Sequence, residues 1–137
     1  MNIAIINGPN LNLIGNREEH IYGNESLDSY LDNLKSQFTM HQFHIFQSNI
    51  EGEIVNHIQW AGKNCDAIII NSGAFSHYSI AILDALKAFN IKKIEVHISH
   101  VFAREEFRKN LLTATACDAV ISGFGLKSYL LAIESLK

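Results

Sequence analysis

Ile3-Ala4-Ile5-Ile6-Asn7-Gly8-Pro9-Asn10-Leu11-Asn12-Leu13-Ile14-Gly15 opens the chain with an apolar run that breaks into a polar, turn-forming one. A buried strand ending in asparagine, glycine and proline is how an open α/β sheet delivers functional groups to its edge. Arg17 and Tyr22 follow in the same polar segment. A fixed guanidinium beside a phenol favours the phenolate, so Tyr22 is a candidate base with Arg17 as its partner.

Outward from this start, the apolar, β-branched run at 3–7 is followed by others at 43–48, 67–71, 93–97 and 119–122. Segments of helical period lie between and after them, at 26–38, 51–62, 79–89 and 126–136, with Ser26 placed as an N-cap. Alternating strands and helices predict an α/β domain with a parallel sheet and helices on both faces. Five strands at this length predict a flavodoxin-like, doubly wound sheet of order 2-1-3-4-5. Residues 1–137 read as one domain, and the long irregular stretch 8–25 reads as an active-site lid.

Bulk properties narrow the function. The chain is 47% hydrophobic and 18% charged with eight glycines and one proline, which excludes disordered and collagen-like classes. A net charge of −3 gives no reason to expect nucleic acid or an anionic membrane as partner. Apolar runs stop well short of the ~20 residues that span a bilayer. Cys65 and Cys117 lie far apart and read as reduced thiols of a cytoplasmic protein. Seven histidines form no ligand pair of metal-binding spacing, so no metal is expected.

Ligands of such sheets sit beyond the carboxyl ends of the strands, where the strand order reverses. Strand one ends at Asn7, with Asn10, Asn12, Arg17 and Tyr22 beyond it. Strand three ends at Asn71, followed by Ser72-Gly73-Ala74-Phe75-Ser76-His77. Strand four ends with Glu95, His97 and Ser99, which share one side because side chains alternate. Taken singly, Asn7, Gly8 and Asn10 serve turn geometry, and Glu95/His97 is an ordinary ion pair. Their convergence on one crevice points to acid–base chemistry. Asp84, on the helix after strand three, reads as solvent-facing, and His20, His41, His44 and His57 as residues without partners.

The order of these segments resembles type II 3-dehydroquinate dehydratases nearly end to end. The resemblance rests on Ile6–Leu13, Arg17-Glu18, Ile21-Tyr22-Gly23, Gln47-Ser48-Asn49, Ile70-Asn71, Gly73-Ala74, His77, Glu95-Val96-His97-Ile98-Ser99, Arg104-Glu105-Glu106-Phe107-Arg108 and Gly123-Phe124-Gly125. It implies dehydration of 3-dehydroquinate to 3-dehydroshikimate through an enolate, in the shikimate pathway, without a cofactor. It further implies that Tyr22 is the base, with Arg17 lowering its pKa, and that Asn12 stabilises the enolate through a water. His97 is then the general acid, oriented by Glu95. Asn71, Ile98 and Ser99 take the substrate carboxylate, and His77 and Arg108 bind ring hydroxyls. By the same resemblance Asp84 reaches a neighbouring subunit's site in a dodecamer built from trimers. Ser72 stands where the family usually has proline, His100 where asparagine is common, Ser128 where glycine is frequent. The segment 109–116 also departs from the family pattern.

Two other readings stay open on the residues alone. One is a binding protein for an anion in the Asn71/Ser99 crevice, against which the set of Arg17, Tyr22, Glu95 and His97 argues. The other is a flavin- or phosphate-binding relative, weakened because the first loop lacks a Ser/Thr/Gly-rich nest and Pro9 removes a donor.

Overall fold

The computed structural model of the chain describes residues 1–15 and 25–137. Strands β1 (Asn2–Asn7), β2 (Gln42–Gln47), β3 (Ala67–Asn71), β4 (Lys92–His97) and β5 (Ala119–Ser122) form one parallel sheet of order β2-β1-β3-β4-β5. The helices are α1 (Leu27–Gln37), α2 (Glu51–Asn64), α3 (Ile80–Lys87) and α4 (Lys127–Glu134). This is the expected architecture, with element ends differing by one or two residues. Ser48 leaves β2 because its hydroxyl accepts from the Ile50 amide at 2.9 Å and donates to Glu53 at 2.8 Å, bracing the start of α2.

The two central strands are buried on both faces, which is why they read as continuous apolar runs. Alternation sorts their side chains. Ile3, Ile5 and Ile69 join Ile94 and Val96 against α1 and α4, while Ala4, Ile6, Ile68 and Ile70 pack on α2 and α3. Ser26 caps α1 by accepting from the Ser29 amide at 3.1 Å, and Ser79 caps α3 by accepting from the Ile82 amide at 3.0 Å. No helix among the described residues is long and apolar enough to cross a membrane. His41, His44 and His57 do have partners, contrary to expectation: His41 stacks on Phe38 with Nδ1 3.3 Å from the terminal amine of Met1, His44 meets the Trp60 ring edge-on and His57 stacks on Phe46.

The polypeptide leaving β1 turns at once into a 3₁₀ segment, Leu11–Leu13. Leu11 and Ile14 are buried in the core, so the first part of the expected 8–25 lid is anchored. Its part at 16–24, with Arg17, His20 and Tyr22, lies outside the described residues. Gly8 extends the ladder by donating its amide to the Asn71 carbonyl at 2.8 Å. A Cβ there would stand 2.4 Å from the Ser72 carbonyl oxygen, so only glycine lets the exits of β1 and β3 run this close. The Ser72 hydroxyl is fully buried and has no hydrogen-bond partner among the described residues.

Gly8→Ala should therefore destabilise the fold by about 2–4 kcal/mol through this backbone collision. Gly52→Ala, in α2 with open space around the new methyl, should be neutral or gain up to about 0.5 kcal/mol. Urea denaturation of both variants at one protein concentration checks the pair.

Candidate active site

β1, β3 and β4 all end at one edge of the sheet, and their exits enclose a cleft of about 130 Å³. Asn10, Leu11 and Ile14 line it from the β1 side, and Asn71, Gly73, Ala74 and His77 from the β3 side. His97, Ile98 and Ser99 close the β4 side, with Arg104 and Arg108 beyond them.

Asn7 and Asn71 face each other in register at the strand ends. Both are buried, and a third residue ties them together. The Tyr129 hydroxyl donates to Asn7 Oδ1 at 2.6 Å and accepts from Asn71 Nδ2 at 3.1 Å. Asn71 Oδ1 accepts from the Gly73 amide at 3.2 Å, which pins the amide orientation and leaves one N–H of Asn71 for a ligand. Burial pushes the Tyr129 phenol well above its ordinary pKa, with the Asn71 hydrogen bond only partly opposing it.

β4 carries the charged part of the site. Glu95 is 0% exposed and His97 5% exposed, yet both are satisfied. His97 Nε2 donates to Glu95 Oε2 at 2.8 Å, and the Thr113 hydroxyl donates to Glu95 Oε1. Ser128, where glycine is frequent in the family, donates its hydroxyl to the His97 carbonyl at 3.2 Å. The Gly123 amide meets the same carbonyl at 3.2 Å, so the end of β4 is held from α4 and from the β5 exit.

The His77 ring stacks on His97 at 6.4 Å between centroids. Its Nδ1–H donates to the Asn110 carbonyl at 2.9 Å, while Asn110 Nδ2 returns a bond to the His77 carbonyl at 3.2 Å. That exchange leaves Nε2 of His77 as the free ring nitrogen. Arg104 donates to the Ser99 hydroxyl at 3.3 Å, and Arg108 to the Glu105 carboxylate. The Arg108 hydrogen bond holds Glu105 below the usual carboxylate range.

Asn71, His77, His97, Ile98, Ser99 and Arg108 are thus brought to one cleft, with Glu95 directly behind His97. Asn12 is exposed just outside it, accepting from Gln47 Nε2 at 3.4 Å. Asp84 lies on the exposed face of α3, away from the cleft. Tyr22 and Arg17 fall outside the described residues. Tyr129, Thr113, Asn110 and Arg104 were not expected as site residues. Tyr129 is indistinguishable in sequence from an apolar helix-face aromatic, and Thr113 carries no local signal. Among the described residues no group of three or more His, Cys, Asp or Glu is placed to hold a metal.

Residues 1–137 match the family described as dehydroquinase class II. The 3-dehydroquinate dehydratase of Clostridium botulinum (strain Okra / Type B1) is 51% identical over 135 residues, 97% of this chain and 92% of the relative. That of Caldicellulosiruptor bescii is 53% identical, with 98% of this chain and 95% of the relative covered. The crystal structure of the type II dehydroquinase from Butyrivibrio crossotus DSM 2876 superposes with a TM-score of 0.95 at 48% identity, over 99% of this chain and 97% of that one.

Burial holds the His77 imidazole below its ordinary pKa, and the neighbouring His97 and Arg108 act in the same direction. The Asn110 carbonyl and Glu95 oppose the shift without cancelling it. The folded chain thus resists a proton that the unfolded chain takes up near ~6.5. Stability from this group is complete above that value and is lost as pH falls through the lower folded one. Urea midpoints should drop between about pH 7.5 and about pH 5.5, and His77→Gln should drop less.

Proposed function

The chain belongs to the dehydroquinase class II family, and we propose that it removes water from 3-dehydroquinate by trans elimination through an enolate, with Tyr22 as base and His97 as acid. As a family member it is a hydro-lyase, a 3-dehydroquinate dehydratase. The product is 3-dehydroshikimate, and no cofactor enters the scheme.

The observation that carries the acid assignment is the buried Glu95–His97 pair opening on the cleft. With Nε2–H committed to Glu95, the proton His97 delivers to the departing hydroxyl is the one on Nδ1. The carboxylate behind the ring fixes its orientation, so that Nδ1 faces the departing hydroxyl. For the base, Tyr129 is disqualified: it is fully buried and its phenol is pushed up, so it stays protonated. Tyr30 is also shifted upward, by burial and by Glu25. Tyr22 keeps the role on its motif. Moving a phenol from ~10 to ~7 takes about 4 kcal/mol, which the Arg17 guanidinium supplies in large part in a water-poor site.

The remaining roles follow the chemistry of the cleft. Asn12, exposed at its rim, acts on the enolate oxygen through a bound water. The free N–H of Asn71, with Ile98 and the Ser99 hydroxyl, takes the substrate carboxylate, while His77 Nε2 and Arg108 meet the ring hydroxyls. Asp84 works in the site of a neighbouring subunit in a dodecamer of trimers. In support, Ile80 is 65% exposed one helical turn before it, an apolar surface that association would bury. The reaction is placed in the cytoplasm, in the shikimate pathway leading to aromatic amino acids.

Purified protein should convert 3-dehydroquinate to a product absorbing as a conjugated enone, with EDTA making no difference. Tyr22→Phe should lower kcat by on the order of 10³-fold or more with unchanged circular dichroism. An unchanged rate in that variant removes the mechanism.

A further inference from the structure

We propose that Thr113 is a positioning residue for the acid of this reaction, its hydroxyl holding the Glu95 carboxylate in the orientation that receives His97 Nε2–H. The proposal rests on the reading of His97 as acid. Thr113 lies 18 residues beyond Glu95, in a chain segment that departs from the family pattern. It opens the 3₁₀ turn Thr113–Ala116, which packs on α3 on the same side of the sheet as Glu95.

The geometry is that of a built contact. Thr113 and Glu95 are both 0% exposed. The carboxylate has two oxygens and, among the described residues, two donors, one on each: His97 on Oε2 and Thr113 on Oε1. Thr113 has one hydroxyl proton, and its other neighbouring acceptor, the Ser76 carbonyl, stands at 3.5 Å. The proton therefore belongs to Glu95. A carboxylate held at one oxygen alone rotates about its last bond. Held at both, it presents Oε2 to the imidazole at one angle, and the ring in turn presents Nδ1 to the cleft.

The surrounding titratable groups do not take over this function. Lys93 shares the face of β4 but donates to the Phe89 carbonyl at 2.6 Å. Burial pushes the Cys117 thiol up to about 12, with Glu95 adding to the shift and Lys93 opposing it. His77 is held below its ordinary value, and Arg108 is paired with Glu105.

Thr113→Val keeps the shape and deletes the hydroxyl, whereas Thr113→Ser keeps the hydroxyl. The valine variant should lose about 10- to 100-fold in kcat, with KM changed less than about threefold. The serine variant should recover most of the rate. In the substrate-free protein, the downfield resonance of His97 Nε2–H should shift or broaden in the valine variant and return in the serine variant. An unchanged kcat or an unmoved resonance in the valine variant, or a serine variant that behaves like valine, overturns the proposal. The resonance needs no turnover, so a wild-type protein that failed to dehydrate 3-dehydroquinate would sink the acid reading separately.

Discussion

A carboxylate without access to water persists as an anion only where donors replace the water it has lost, and Glu95 is placed under that condition. Its two donors come from different parts of the chain, His97 on the same strand and Thr113 on a later turn. Removing one partner of a buried, hydrogen-bonded charge commonly costs about 3–5 kcal/mol, because the other charge is left stranded. β4, the turn at Thr113–Ala116 and α3 must therefore close together before the charge is tolerated. The same closure holds the proposed acid, so the stability of this region and its chemistry depend on one set of contacts.

The rest of the site follows from the parity of the strands. Asn7 and Asn71 continue the faces of Ile5 and Ile69, towards α4, where Tyr129 meets both. Glu95 and His97 lie on the opposite face from Ile94 and Val96, towards α3. The cleft thus straddles the edge of the sheet, with neutral amides entering from one side and a carboxylate–imidazole pair from the other. Gly8 lets the exits of β1 and β3 approach closely enough for this to be one cleft.

Departures from the family pattern are absorbed with different success. Ser128 finds the His97 carbonyl and Thr113 finds Glu95, so both hydroxyls bind β4. Ser72 lies as deep, with its hydroxyl unpaired among the described residues. His100 sits exposed beside the β5 exit, where a Cβ on Gly123 would approach its own Cβ to 3.2 Å.

Much of this was legible in the chain itself. Five β-branched runs separated by helical periods set the element order and the helix faces, because apolar periodicity is a local property with two distinct repeats, and the fold class they suggest carried the strand order. Ser26 was readable as a cap for the same reason, since a cap needs only its next three residues. Asn71, His77, His97 and Ser99 were readable as neighbours because each stands at or just past a strand end. Only the folded chain decided that Tyr129 joins Asn7 across 122 positions and that Thr113 meets Glu95 across 18. A hydroxyl carries no periodic signature, and its partner is set by where distant segments pack in three dimensions.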